Sequence, residues 1–252
     1  MQKIIYKLIN KIFMNEVEND LIKLIKSKEK VIFDVGCYRG NFTENILKIE
    51  KNENENENYK FYLFDPNPNV KEYLKELLVN ENIKYFELAL DNSNTTKKFT
   101  INRYFEPSGS SLNSAHQKDH KYNFSRKLFM KIFQPFTKIE DYEQIDVQTQ
   151  TLDNFCLSNN IEKIDLLKLD TDGTEYELLN GAKKMLSEGK IEIIYTEISG
   201  FKNDFDRKIN EIKDFLGKYN FELKESYNIA SFSLMSNLKS TDNLFVKKTN
   251  NN

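Results

Sequence analysis

A short apolar segment that runs directly into a glycine-containing turn constrains the fold more than any other part of this chain. Residues 31–35 (Val-Ile-Phe-Asp-Val) predict a buried strand, and Gly36 and Gly40 enclose the polar bend that follows. A helical pattern starts at Asn41. A strand, a tight turn and a helix in this order expose free backbone N–H groups at the end of a sheet, and glycine lets a ligand approach that backbone closely. The sequence therefore predicts a site for a nucleotide-type ligand.

The spacing of the glycines bears on which nucleotide is bound. Dinucleotide sites favour G-x-G-x-x-G followed by an acidic residue about 20 positions later, whereas Gly36 and Gly40 follow a G-x-x-x-G pattern. The acid is present as Asp65, at the end of the predicted strand Phe61–Asp65. It comes late because the low-complexity run Lys51–Asn58 precedes the strand, and the polar composition of this run predicts a solvated loop. A purely structural glycine turn is the alternative interpretation.

The composition limits the class of protein. With 252 residues, of which 39% are hydrophobic, we expect a single α/β domain over residues 1–252 with room for an insertion. The 37 basic and 39 acidic residues are mixed without a basic stripe, so we expect no nucleic-acid partner. Two cysteines indicate no disulfide framework, and no apolar run approaches the ~20 residues of a membrane span. These features favour a cytoplasmic protein without stable membrane insertion.

Residues 1–28 are predicted to form an N-terminal helical segment. From Met1 to Phe13, apolar residues alternate with lysines in an amphipathic basic pattern that lacks the continuous apolar core of a signal peptide. Packing of the apolar face on the chain's own sheet, or on a second subunit in a homodimer, is the preferred interpretation. Attachment to a membrane surface is the alternative.

Strand-like and helix-like segments alternate along the rest of the chain, as in a doubly wound sheet. The predicted strands are Val31–Val35, Phe61–Asp65, Ile83–Leu90, Ile164–Leu169, Ile191–Glu197, Phe221–Glu225 and Leu244–Lys247, and the predicted helices include Val70–Val79, Tyr176–Leu186 and Arg207–Tyr219. The last two strands lack a crossover helix between them, which predicts an antiparallel pair at one edge of a mainly parallel sheet. Residues 102–146 interrupt the alternation, and we expect this insertion to be a lid or substrate loop.

A group of acidic residues is predicted to lie opposite the glycine turn. In a doubly wound sheet the fourth parallel strand should lie beside the first, and ligands bind at the carboxyl ends of the two strands. The fourth strand ends in Lys168-Leu-Asp170, whose charged side chains share one face, and Asp172 and Glu175 follow in the turn. Carboxylates grouped at such a strand end favour a functional site over a structural ion pair.

Taken in order, these segments resemble the FkbM family of S-adenosylmethionine-dependent methyltransferases. The resemblance rests on Asp34-Val-Gly-x-x-x-Gly40 with Thr43, Phe64-Asp-Pro-Asn-Pro68, Ala89-Leu-Asp91, Gly109-Ser-Ser-Leu112, Thr151-Leu-Asp153, residues 164–175 with Gly181-Ala182, Glu197, and Asn243-Leu-Phe245. It implies the class I methyltransferase fold, an α/β, Rossmann-like, doubly wound sheet of seven mostly parallel strands whose last strand is antiparallel. It also implies S-adenosylmethionine as the cofactor.

The resemblance assigns roles to residues near the predicted strand ends. Residues 34–40 would border the methionine part of the cofactor, Asp65 would hold the ribose hydroxyls, and Asn67 and residues 89–91 would neighbour the adenosine. Ser110, at the entrance of the insertion, is expected near the methyl donor. The expected cofactor-binding residues are Asp34, Gly36, Tyr38, Arg39, Gly40, Asp65, Asn67, Ala89, Asp91 and Ser110.

The expected reaction is O-methylation of a sugar, in a nucleotide-linked sugar or a precursor of a surface polysaccharide, because the family acts mostly on hydroxyls of sugars and secondary metabolites. Residues 102–146 combine aromatic and polar side chains, and Arg103, Arg126 or Lys127 would meet a phosphate. Three alternatives stay open. They are a non-sugar small-molecule hydroxyl, a non-catalytic nucleotide- or glycan-binding module, and an NAD-dependent sugar oxidoreductase, which the glycine spacing disfavours.

Several residues are candidates for removing the proton of the acceptor hydroxyl, which is a very weak acid. Asp170 comes first because it ends the strand that faces the cofactor turn, and Lys168 is its charged neighbour on the same face. His116 and His120, the only histidines of the chain, are alternatives within the insertion.

A metal ion is a further alternative for activating the hydroxyl. Asp170 would then hold Mg²⁺ or Mn²⁺ together with Asp172, Glu175 or Glu197, since hard cations prefer oxygen ligands.

Overall fold

The apolar segment before the glycine turn forms the middle of a seven-stranded sheet in a computed structural model of the protein. The structure describes residues 17–53, 58–102, 110–112, 142–228 and 238–248. The strands are β1 (Glu29–Val35), β2 (Asn58–Phe64), β3 (Ile83–Phe86), β4 (Ala89–Leu90), β5 (Thr95–Asn102), β6 (Tyr142–Gln150), β7 (Ile164–Leu169), β8 (Ile191–Phe201), β9 (Phe221–Asn228) and β10 (Leu238–Lys247). The helices are α1 (residues 17–24), α2 (Asn41–Glu53), α3 (Val70–Tyr73), α4 (Leu152–Ser158), α5 (Glu175–Asn180), α6 (Lys183–Ser187) and α7 (Phe205–Gly217), with a 3₁₀ helix at Leu77–Val79.

The strands of the large sheet are ordered β3-β2-β1-β7-β8-β10-β9. β1 pairs in parallel with both β2 and β7, which confirms that the fourth predicted parallel strand lies beside the first. The C-terminal strand β10 lies between β8 and β9 and is antiparallel to both. The predicted doubly wound, mainly parallel sheet with an antiparallel pair at one edge is therefore confirmed.

Two apolar clusters cover the two faces of this sheet. Neighbouring residues of β1 point to opposite faces, so Phe33 belongs to one cluster and Ile32 to the other. All six residues of β7 are buried, as expected for a strand covered on both faces. Lys168 is one of the six, and a buried lysine must find charged or polar partners.

The structure contains a second sheet of three strands, ordered β4-β6-β5, which the sequence did not predict. The run Ile83–Leu90, predicted as one strand, is divided between β3 of the large sheet and β4 of the small one. Residues 142–146, assigned to the insertion, are instead the first half of β6, which pairs with β5. Of the remaining insertion only residues 110–112 are described, so His116 and His120 lie outside the described residues.

The helices differ from the predictions mainly at their ends. The predicted loop Lys51–Asn58 was wrong at its start and end, because α2 continues to Glu53 and β2 begins at Asn58. Val70–Val79 is shortened to α3 followed by the 3₁₀ helix, and Tyr176–Leu186 is divided into α5 and α6 at Gly181. A Cβ atom on Gly181 would overlap the main-chain carbonyl of Asp91, so a close tertiary contact falls at this break.

The N-terminal helical segment is described only from residue 17. Leu21 and Ile22 of α1 are buried in the same cluster as Ile46 of α2. The amphipathic pattern Met1–Phe13 lies outside the described residues, and homodimer formation stays a prediction. Among the described helices, none is long and apolar enough to cross a membrane.

Asp153 offers a test of the packing between α4 and α6. Its carboxylate accepts hydrogen bonds from the main-chain N–H groups of Lys184 and Met185, at 2.8 and 2.9 Å, and so caps the start of α6. Asp153→Ala should lower the free energy of unfolding by about 2 kcal/mol, because the N–H groups lose a charged acceptor. Urea denaturation measures the change. Asp146→Ala is the matched control, since Asp146 makes only an exposed ion pair with Lys98 among the described residues and should change stability by less than about 0.5 kcal/mol.

Candidate active site

The glycine turn brings the carboxyl ends of β1, β2 and β7 together. The N–H groups of Gly36 and Cys37 both donate to the Phe64 carbonyl, at 2.9 and 3.1 Å, so the turn is fixed to the end of β2. Gly36 has a φ of +74°, and a Cβ atom there would overlap the Asp170 carbonyl at the end of β7. Gly40 has a φ of +73° and leads into α2. Gly36 is thus required by backbone conformation and by close approach, and Gly40 by backbone conformation.

A buried ion pair joins β1 to β7 beneath the turn. Lys168 Nζ lies 3.1 Å from Asp34 Oδ1 and 3.3 Å from Asp170 Oδ2. It also donates to the Gly36 carbonyl at 3.1 Å. Burial alone would lower the pKa of Lys168, but the neighbouring carboxylates of Asp34 and Asp170 outweigh it and raise that pKa, so the amine stays charged.

The two carboxylates of this group differ in exposure. Asp34 is fully buried, and its other oxygen accepts a hydrogen bond from the Thr43 hydroxyl of α2 at 3.0 Å. The Asp170 side chain is 38% exposed. Asp170 is therefore the partly exposed carboxylate of the group.

Asp65 presents a carboxylate at the end of β2, beside the turn. Oδ2 accepts the Tyr38 N–H at 3.2 Å and Oδ1 accepts the Asn67 N–H at 2.9 Å. Burial raises the pKa of Asp65 to about 6, although both N–H bonds oppose the rise. Each carboxylate oxygen has a further lone pair, so Asp65 can still accept two hydroxyl donors. A carboxylate placed in this way can receive two neighbouring hydroxyl groups of a ligand.

Other expected cofactor residues are placed around the turn and in the second sheet. The Arg39 guanidinium packs against the rings of Tyr38 and Tyr73, 5.3 and 4.9 Å from their centroids. Asn67 follows Asp65 and is 1% exposed. Ala89 is buried in β4, and the buried carboxylate of Asp91 forms an ion pair with Lys97.

The turn after β7 is held from two sides. Glu175 Oε1 accepts the Thr171 N–H and hydroxyl, both at 2.9 Å, and the Gly173 N–H at 3.1 Å. From the other side, the Ser111 hydroxyl donates to the carbonyls of Thr171 and Asp172, at 3.1 and 3.0 Å. Ser110, the predicted neighbour of the methyl donor, precedes this contact directly. Glu175 is thus committed to the backbone of the turn.

A row of carboxylates continues from Asp170 across the neighbouring strands. Glu197 of β8 pairs in register with Asp242 of β10, and the Ser240 hydroxyl donates to Glu197 at 2.5 Å. Burial, with the negative charges of Asp170 and Asp242, raises the pKa of Glu197 well above its usual range. Burial likewise raises the pKa of Asp242 to about 6, against a hydrogen bond from Tyr195.

Sequence reasoning missed Asp242, which directly precedes the Asn243-Leu-Phe245 motif. The motif could have pointed to this position. The sequence predicts the last strand only from Leu244, however, whereas β10 begins at Leu238. Among the described residues, no group of three or more His, Cys, Asp or Glu side chains is arranged to hold a metal ion. Metal ligation by Asp170, Asp172 and Glu197 stays a prediction.

Several known proteins and solved structures are similar to this chain. A curated relative, "2-O-methyltransferase NoeI" of Sinorhizobium fredii (strain NBRC 101917 / NGR234), is 26% identical over 191 residues, which cover 73% of this chain and 69% of the relative. The crystal structure of Trm5b from Pyrococcus abyssi is 13% identical with a TM-score of 0.44, and the match covers 90% of this chain but only 48% of Trm5b. The magnesium protoporphyrin IX methyltransferase ChlM from Synechocystis PCC 6803 is 9% identical with a TM-score of 0.47, covering 94% of this chain and 82% of that one.

A family model gives the assignment. The model described as "Methyltransferase FkbM domain" matches residues 34–223, which is more than half of the chain and runs from Asp34 of the turn to β9. The match includes the glycine turn, Asp65, the β7 strand end and Glu197. The chain therefore belongs to the FkbM family of methyltransferases.

Proposed function

We propose that this methyltransferase transfers a methyl group from S-adenosylmethionine to a hydroxyl of a sugar. The observation that carries the proposal is the meeting of two carboxylates at the glycine turn, Asp65 with free lone pairs at the end of β2 and Asp170 partly exposed at the end of β7. The name of the curated relative, a 2-O-methyltransferase, supports an oxygen acceptor.

The residues around the turn fit the cofactor. Gly36 and Gly40 give the turn its positive-φ backbone at the end of the sheet. Asp65 can hold the ribose hydroxyls, and Asn67 has a buried amide nitrogen without a hydrogen-bond partner among the described residues. The further proposed neighbours of the cofactor are Asp34, Tyr38, Arg39, Ala89, Asp91 and Ser110. When bound, S-adenosylmethionine supplies a methyl group that its sulfonium already activates. The protein must align the acceptor and take its proton.

Asp170 is the proposed acceptor of that proton. It is the exposed carboxylate of the ion-paired group, and its partner Lys168 is held by Asp34, Asp170 and the Gly36 carbonyl. Lys168 therefore acts as a fixed positive charge that orients Asp170, and it is not itself the base. His116 and His120 stay alternatives, as does a divalent cation bound by Asp170 with Asp172 or Glu197.

A sugar is the preferred acceptor because the insertion combines aromatic and polar residue types. A nucleotide-linked sugar or a surface-polysaccharide precursor, methylated in the cytoplasm, is the narrower form of the proposal. A non-sugar small-molecule hydroxyl is the second candidate within the same chemistry. The direct test is a labelled-methyl transfer screen against nucleotide-linked sugars, free glycans and phenolic or polyketide hydroxyls. Cofactor binding without transfer to any of these would favour the non-catalytic binding module.

The ribose assignment predicts the effect of truncating Asp65. Asp65→Ala should weaken the binding of S-adenosylmethionine by about 1.5–3 kcal/mol, because a charged acceptor for two hydroxyls is lost. Isothermal titration calorimetry gives the affinity. Glu72→Ala is the control, since Glu72 lies in α3 nearby and its exposed carboxylate pairs only with Lys75 among the described residues. An unchanged affinity in Asp65→Ala would reject the assignment.

The raised pKa of Asp65 predicts how affinity depends on pH. Ribose hydroxyls donate to the ionised carboxylate, so binding competes with protonation, and affinity is lost as the pH falls through about 6. The Kd of S-adenosylhomocysteine should be nearly constant from pH 8 to pH 7 and should rise about tenfold by pH 5. Asp65→Asn should bind more weakly at pH 8 but remove most of this pH dependence. If the variant keeps the wild-type profile, another group controls it.

The proposed base predicts a change in turnover without loss of cofactor. Once the screen identifies an acceptor, Asp170→Asn should lower kcat by at least about 100-fold, within the range of general-base catalysis, and leave the Kd of S-adenosylmethionine within about threefold. Wild-type activity that survives excess EDTA would support Asp170 as the direct base. Activity lost in EDTA and restored by Mg²⁺ or Mn²⁺ would support the metal alternative. Near-normal turnover of Asp170→Asn would contradict both versions and leave the histidines of the insertion.

A further inference from the structure

Asn67 lies in the loop after β2, and nearly all of its polar groups form hydrogen bonds within that loop. Its main-chain N–H donates to Asp65 Oδ1 at 2.9 Å, and its carbonyl accepts the Val70 N–H at 3.0 Å. The side-chain Oδ1 accepts the main-chain N–H of Asn69 at 3.1 Å and the Asn69 amide at 3.1 Å. Asn67 is therefore held rigidly beside the carboxylate proposed for the ribose.

These contacts determine which way the Asn67 amide faces. A main-chain N–H can only donate, so the atom that faces the Asn69 N–H must be the oxygen, and Nδ2 must lie on the other side. Nδ2 is buried, and it has no hydrogen-bond partner among the described residues. Asn67 as a whole is 1% exposed. A buried amide donor without an acceptor is rare and costs free energy, which indicates that a ligand supplies the acceptor.

The position of Nδ2 limits the ligand atoms that can meet it. The ribose hydroxyls are matched by Asp65, whose carboxylate is bonded to the Asn67 main chain. Next to a ribose, the adenine base presents its sugar edge, where N3 is a lone-pair acceptor without a hydrogen. Asn67 lies two residues after Asp65, the carboxylate proposed for the ribose, so its fixed amide donor is complementary to N3.

We propose that Asn67 Nδ2 donates a hydrogen bond to N3 of the adenine ring of the bound cofactor. This inference rests on the proposed function, since it takes S-adenosylmethionine as the ligand. It gives the loop a role in selecting the base: Asp65 reads the ribose, and Asn67 reads the sugar edge of adenine.

The test compares S-adenosylhomocysteine with its 3-deaza analogue, in which a C–H replaces N3. Both bind without turnover, and calorimetry gives each Kd. Wild-type protein should bind the 3-deaza analogue about three- to tenfold more weakly, the range for one neutral hydrogen bond. Asn67→Ala and Asn67→Asp should bind S-adenosylhomocysteine more weakly and should no longer distinguish it from the analogue.

The Asn67→Asp variant is the matched control for folding. It keeps the oxygen that accepts from Asn69 and replaces the amide donor with a second carboxylate oxygen, which also introduces an acidic group beside Asp65. Equal binding of the two ligands by wild-type protein would overturn the inference, as would a preference for S-adenosylhomocysteine that persists in Asn67→Asp. Failure of wild-type protein to bind S-adenosylhomocysteine at all would instead overturn the proposed function and this inference with it.

Discussion

The buried ion pair between Asp34 and Lys168 is the interaction on which the site depends. Two charges removed from water are tolerated only when each is paired and its remaining donors and acceptors are matched. Lys168 meets this condition with two carboxylates and the Gly36 carbonyl, and Asp34 adds the Thr43 hydroxyl. The same contacts fix β1 against β7, hold the glycine turn and orient Asp170. Stability and catalytic geometry are therefore set by one group of atoms.

The acidic residues of the site are chemically alike but are placed in different surroundings. Asp65 is buried and accepts two main-chain N–H bonds, which favours recognition of donors in fixed positions. Asp170 is partly exposed, and its ion pair with Lys168 holds the carboxylate in place. Glu197 lies among other carboxylates, and its raised pKa favours the protonated form. Environment, more than residue type, thus distinguishes the carboxylates of the site.

The sequence predicted the parts of the site that depend on local order along the chain. The strand before Gly36, the acid at Asp65 and the charged end of β7 each follow from a strand that ends in a turn, and the structure brings them together. The small sheet was not predicted, because the break between Phe86 and Ala89 arises from pairing with β6, some 60 residues away. The orientation of the Asn67 amide could not be predicted from the sequence either, since it is decided by the hydrogen bond that its oxygen accepts from the Asn69 N–H.

The small sheet is also what connects the insertion to the catalytic end of the large sheet. Ser111 pairs with Thr100 of β5 through both main-chain groups, at 3.0 and 3.1 Å, and its hydroxyl holds the turn that follows Asp170. In that turn Asp172 has a φ of +54°, a conformation that costs free energy in a non-glycine residue and needs such support. A change near Ser111 would therefore reach Asp172 through the hydrogen bond from the Ser111 hydroxyl to the Asp172 carbonyl.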